Sequence, residues 1–123
     1  MASTYTNVHS QPSVAVHQFT SASTAVDEII SFGFKPQCVM YVQGVTATNP
    51  SIYWGSLNAA GTPADTVKQN GADGVITSPA HTAGVSIGYS LTASDANGAV
   101  EGQVAIDATV QTNDGVNLVI AFR

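Results

Sequence analysis

A chain of 123 residues with 9% charged side chains and a formal net charge of −5 has the length of one domain but far less charge than the typical domain's ~25%. Its three cations, Lys35, Lys68 and Arg123, are too few and too scattered to displace counterions from a nucleic acid or to hold an anionic membrane surface, so both partners are excluded. One cysteine rules out an internal disulfide. The surface polarity must come from Ser, Thr, Asn, Gln and backbone, which suits a protein covered by neighbours because interface centres are depleted in charge; a secreted or extracellular all-β domain is the alternative reading of the same composition.

In chain order, residues 1–12, "MASTYTNVHSQP", show little periodicity and end at Pro12. They are expected to form an N-terminal arm. Having neither a basic nor an apolar block, they are not expected to be a signal peptide. Residues 13–123 are expected to form one β domain, because short β-prone segments recur there between turn signals. In "SVAVHQFT", residues 13–20, Val14 and Val16 point one way and Ala15, His17 and Phe19 the other. Residues 24–32, "TAVDEIISF", fit either a strand or a short helix, cut off by Gly33 and Pro36. "QCVMYVQ", residues 37–43, is apolar on both faces and predicts a strand buried on both sides.

In "SIYWGSL", residues 51–57, Tyr53 and Trp54 are adjacent and must face opposite sides of a strand. The region 58–79 is loop-rich, with short strands expected at 66–69 and 75–77. "AGVSIGYSL", residues 83–91, places Val85, Ile87 and Tyr89 on one face. Residues 94–98, "SDANG", read as an Asx-type turn rather than a calcium loop, since the distal glutamate and the alternating ligands are missing. The clearest alternation is "AVEGQVAIDATV", residues 99–110. It predicts a strand with Val100, Val104, Ile106, Ala108 and Val110 inward and Glu101, Gln103, Asp107 and Thr109 outward. Asp114-Gly115 is a hairpin signal, followed by a closing strand at 116–123. The sum is an all-β fold: an antiparallel β-sandwich of jelly-roll or immunoglobulin-like kind, with a small β-barrel as the alternative.

Chemistry is weakly signalled. Cys38 sits in an apolar strand, where a thiol packs rather than reacts. His9, His17 and His81 have no metal-ligand spacing. Glu101 and Asp107 share a face but lie about 20 Å apart along a strand, too far for a paired-carboxylate site. No catalytic residue, metal ligand or cofactor is assigned, and the chain is read as non-enzymatic. Tyr53, Trp54 and Tyr89 are the candidates for an exposed aromatic face able to hold a glycan.

One ordered set of motifs resembles small structural proteins of tailed-bacteriophage virions. A strand enters Gly-Phe-Lys-Pro and an apolar strand, "IISFGFKPQCVMYVQG". Then come "IYWGSLNAAGT", "DGVITS", "AGVSIG" and an aromatic-Arg ending, "AFR". The set spans residues 29–123. The resemblance implies a β-sandwich on the outer surface of a capsid, or on a tail, that works without catalysis. Its first form is a head decoration (cement) protein, often trimeric, that clamps neighbouring major capsid subunits. Its alternative form is a tail or head-fibre carbohydrate-binding module. On that reading the arm, with Tyr5, Val8 and His9, orders by adding a strand to a neighbour, and Tyr53, Trp54 and Tyr89 are further candidate partner contacts.

Overall fold

The computed structural model describes residues 14–45, 47–91 and 98–123. Among these residues the chain forms nine strands: β1 (Val14–Thr20), β2 (Glu28–Ser31), β3 (Cys38–Gln43), β4 (Ser51–Ser56), β5 (Val67–Gln69), β6 (Ile76–Thr77), β7 (Val85–Ile87), β8 (Gln103–Ile106) and β9 (Val116–Phe122). Two single-turn 3₁₀ segments, His81–Ala83 and Ala108–Val110, are the only helical pieces among them. The strands form two antiparallel sheets, one in the order β1-β9-β3-β4-β5-β6 and one in the order β2-β8-β7. The architecture is a β-sandwich, and the sheets do not close into a barrel. The expected arm with Tyr5, Val8 and His9, and most of the 94–98 turn, lie outside the described residues.

The small sheet covers one face of the large one, and the core lies between them. Val39, Tyr41, Ile87, Val104, Ile106, Val119 and Ala121 have no exposed surface there, and Val85 has 1%. Ala15 and Phe19 of β1 pack against this cluster, while Val14 and Val16 point away from it. The Gly-Phe-Lys-Pro turn puts Phe34 into the core, and Pro36 is buried beside it. The strand that ends the sequence becomes central, since β9 pairs with β1 on one side and β3 on the other.

Three expectations need correction. First, β3 is not buried on both faces: Val39 and Tyr41 are fully buried, whereas Cys38, Met40 and Val42 on the opposite face are only half-buried. The reason is coverage, because the three-stranded sheet lies over one side of the large sheet only.

Second, the alternating run 99–110 is not one strand. A turn at Glu101-Gly102, with Gly102 at φ +87°, precedes β8. After β8, the Asp107 carboxylate accepts the Thr109 backbone N–H at 2.8 Å and winds the chain into a 3₁₀ turn. This local side-chain bond competes with the sheet ladder, yet the turn still delivers Val110 to the core.

Third, Asp114-Gly115 does not make a hairpin. β8 and β9 belong to different sheets, so the turn carries the chain between layers. Asp114 takes the left-handed conformation at φ +59°, and its N–H donates to the Ala22 carbonyl. The ambiguous 24–32 segment contains strand β2, with Ile30 as its core residue.

Two glycines permit close backbone approach. A Cβ on Gly55 of β4 would meet the Val85 carbonyl oxygen at 2.9 Å, which sets the spacing between the sheets. A Cβ on Gly88 would fall 1.8 Å from the Val100 carbonyl oxygen, where the Gly88 N–H donates to the Gln103 carbonyl. Gly88→Ala is therefore expected to destabilise the fold by about 3 kcal/mol or more in urea denaturation. Gly33→Ala, with nothing within 4 Å of the new methyl, is expected to stay within about 0.5 kcal/mol of wild type.

Candidate functional site

The outer face of the large sheet follows from pleat and register. Side chains alternate across a strand, so each inward residue of β3, β4 and β9 is flanked by outward ones. Paired residues line up in rows across the sheet. One row runs Val16, Ile120, Met40, Trp54, Val67, crossing five strands. The next runs Gln18, Leu118, Val42, Ile52, Gln69, Ile76, crossing all six. A third runs Val14, Phe122, Cys38, Ser56. None of these residues is charged, and most are apolar.

In an ordinary sandwich the outward positions are polar. Here Val16 is 64% exposed, Ile76 67%, Val67 43% and Trp54 40%, while the β3 and β9 side chains between them are half-buried against one another. Strand spacing and rise give the face about 24 Å by about 20 Å, roughly 500 Å² in projection. A patch of this size on a soluble protein usually marks an interaction surface.

The inner face has the opposite character. Tyr41 and Tyr53 meet there with ring centroids 5.5 Å apart, and the Lys68 ammonium sits 5.5 Å above the Tyr53 ring. A buried polar chain ties the two sheets. The Tyr41 hydroxyl donates to Asn117 Oδ1 at 2.7 Å. Asn117 Nδ2 donates to Ser21 Oγ at 2.8 Å and to the Gly115 carbonyl at 3.0 Å. Ser21 Oγ donates to Gln111 Oε1 at 2.8 Å, and Gln111 Nε2 reaches the Val26 and Ile106 carbonyls at 2.7 and 3.1 Å. The links from Tyr41 through Asn117 to Ser21 satisfy buried polar groups, and the part-buried Gln111 carries the chain on to β8, so it serves to fix the sheets in register.

Burial pushes the Tyr41 phenol well above its ordinary range, and the neighbouring Tyr53 adds to the rise. The unfolded phenol ionises near pH 10 while the folded one keeps its proton. The stability this group contributes is therefore complete below about pH 10 and is lost as pH rises beyond it. Folding stability is expected to fall by about 1.4 kcal/mol per pH unit above pH 10 from this residue. Tyr41→Phe should flatten that slope in alkaline urea melts.

The sequence candidates separate. Tyr53 is 2% exposed and belongs to the core. As a partner contact it is corrected: its ring is spent on Tyr41 and Lys68. Trp54, its neighbour, stands at the centre of the outer face. Tyr89 is half-buried beyond β7, in the layer that covers the inner face. Tyr89 and Trp54 therefore lie on opposite sides of the large sheet, and the three aromatics form no common platform. Cys38 lies in the outer face, and burial raises its thiol above the ordinary value more than the hydrogen bond from the Val39 backbone lowers it. Lys35 pairs with Glu101 at 3.7 Å.

Among the described residues no group of three or more His, Cys, Asp or Glu is placed to hold a metal ion. A half-open depression of about 240 Å³ between Pro50, Ile52, Gln69, Asn70, Gly71 and Gly74 has no titratable side chain in its lining. Val16, Val67, Ile76, Leu118 and Ile120 are the face residues that strand reading alone missed. The available signal was the doubly apolar character of "CVMYVQ" and "VNLVIAF". No family model, curated protein or solved structure matches this chain.

Proposed function

We propose that this chain is a non-enzymatic structural protein of a tailed-bacteriophage virion, a decoration protein that stabilises the head by binding neighbouring major capsid subunits. The observation that carries the reading is the uncharged apolar face of the six-stranded sheet. A protein that works by burying interface needs such a face, because a charge trapped without a partner there would cost several kcal/mol. The order of motifs from residue 29 to residue 123 points to the same class. The seven-residue edge strand β1, uncharged and paired on one side to β9, and the 1–12 segment before it are the elements suited to add to a capsid neighbour's sheet.

The test is addition of the purified chain to expanded phage head shells stripped of their decoration protein. Saturable binding at a fixed number of copies per capsomer, with raised thermal stability of the shell, is the expected result. Failure to bind such shells ends the decoration reading.

A glycan-binding module of a tail or head fibre is the second reading, and Trp54 favours it as an exposed indole. Its row neighbours Met40, Ile120 and Val67 offer no hydrogen bonds to sugar hydroxyls, which such sites require. A glycan array with specific hits that Trp54→Ala abolishes would put this reading first.

A further inference from the structure

We infer that the outer face of the six-stranded sheet is closed by the same face of a second copy of this chain, giving a two-fold dimer of stacked sheets. The inference rests on the reading that the chain acts by burying interface, and not on which particle it belongs to; with the face closed by a second copy, the β1 edge and the 1–12 segment are what is left to meet a capsid neighbour. Four features point to a second copy rather than another cover.

The first is charge. The chain carries a net charge of −5, yet the rows through Val16, Trp54 and Val67 hold none of it. Two copies can meet there without bringing carboxylates together. The second is shape. A sheet face made of parallel apolar rows is complementary to itself, and stacked sheets pack about 10 Å apart at a small angle. A two-fold axis uses the same patch on both copies and closes at two.

The third is area. Two faces of roughly 500 Å² bury roughly 1,000 Å² in projection, the level at which a specific interface begins. The fourth concerns the chain's own cover. Of the segments of this sequence outside the described residues, 1–13, "MASTYTNVHSQPS", offers only Met1, Ala2, Tyr5, Val8 and Pro12 as apolar groups and 92–97, "TASDAN", only Ala93 and Ala96, too few to span five strands of apolar rows. A two-fold dimer also departs from the trimer that the virion resemblance implies, since a flat face shared through a two-fold axis cannot close a ring of three.

Sedimentation equilibrium of the full chain at micromolar concentration tests the inference. The expected mass is twice the 12.6 kDa of one chain. Val16→Lys and Trp54→Lys place a charge at positions 64% and 40% exposed in the lone chain, where the new ammonium can stay in water. Each variant is expected to halve the mass while keeping the wild-type far-ultraviolet circular dichroism. A wild-type mass of one chain or of three overturns the inference, as do folded lysine variants that keep the double mass. Should one variant fail to fold, the wild-type mass and the other variant still decide. A dimer that ignores capsid shells leaves this inference standing and removes the virion reading. A monomer that binds them does the reverse.

Discussion

Asn117→Leu is expected to cost about 3 kcal/mol of folding free energy, although leucine has the same number of side-chain heavy atoms as asparagine and is more apolar. Asn117 is fully buried and is the node of the polar chain between the sheets. Its side chain accepts from Tyr41 and donates to Ser21 and to the Gly115 carbonyl. Leucine removes all three bonds. The Tyr41 hydroxyl then loses its partner where water does not reach, at about 1–3 kcal/mol, and Ser21 Oγ loses its donor, while the Gly115 carbonyl keeps the Ser21 backbone N–H at 2.8 Å; the added apolar burial offsets part of the cost. A double-mutant cycle separates this loss from simple misfit. Tyr41→Phe should cost about 1–2 kcal/mol in the wild-type background and close to nothing in the Asn117→Leu background. Additivity within about 0.5 kcal/mol would show that the two residues do not act together.

The second large effect contrasts two neighbours on β3. Val39→Asp should abolish soluble folding, because Val39 has no exposed surface and an unpaired carboxylate in the core costs more than about 4 kcal/mol. Met40→Asp should fold. Its side chain points to the outer face, between Ile120 and Trp54, where the carboxylate can reach water in a single chain. Its cost is expected to appear in self-association, as a sedimentation mass of one chain. Soluble yield and urea midpoints of the two variants decide the matter. A folded Val39→Asp beside an unfolded Met40→Asp would mean that the two faces of the sheet are exchanged.

Sequence alone assigns that severe penalty to Met40 as well, and the reason shows how legible the fold was. Alternation in β1 and the opposed facing of Tyr53 and Trp54 could be read directly, because period two is a property of the strand itself. The count of short strands and their turn signals led to the sandwich by the same logic. What could not be read was coverage. A strand apolar on both faces is equally consistent with burial between two layers of one chain and with burial by another chain. Only the placement of β2, β8 and β7 on one side shows that Met40, Val42 and Cys38 lack a cover among the described residues.

The run 99–110 failed for a different reason. Its apolar spacing is met by a four-residue strand followed by a 3₁₀ turn, and the decision lies with one Asp107 side-chain bond that no periodicity reveals. Asp114-Gly115 kept its turn chemistry but joins two sheets instead of two neighbouring strands. For the candidate site, adjacency told that one of Tyr53 and Trp54 faces outward, and register told which.

Trp54 is the one tryptophan of the chain, so its quenching by acrylamide reports directly on whether the outer face is covered. With 40% of the residue's surface open in a single chain, an uncovered face leaves the indole accessible. With the face covered by a second copy, wild-type Trp54 is expected to be quenched several-fold less than Trp54 in the Val16→Lys variant, and the protection to fade on dilution through the association range. Equal and efficient quenching in both proteins at every concentration would contradict it.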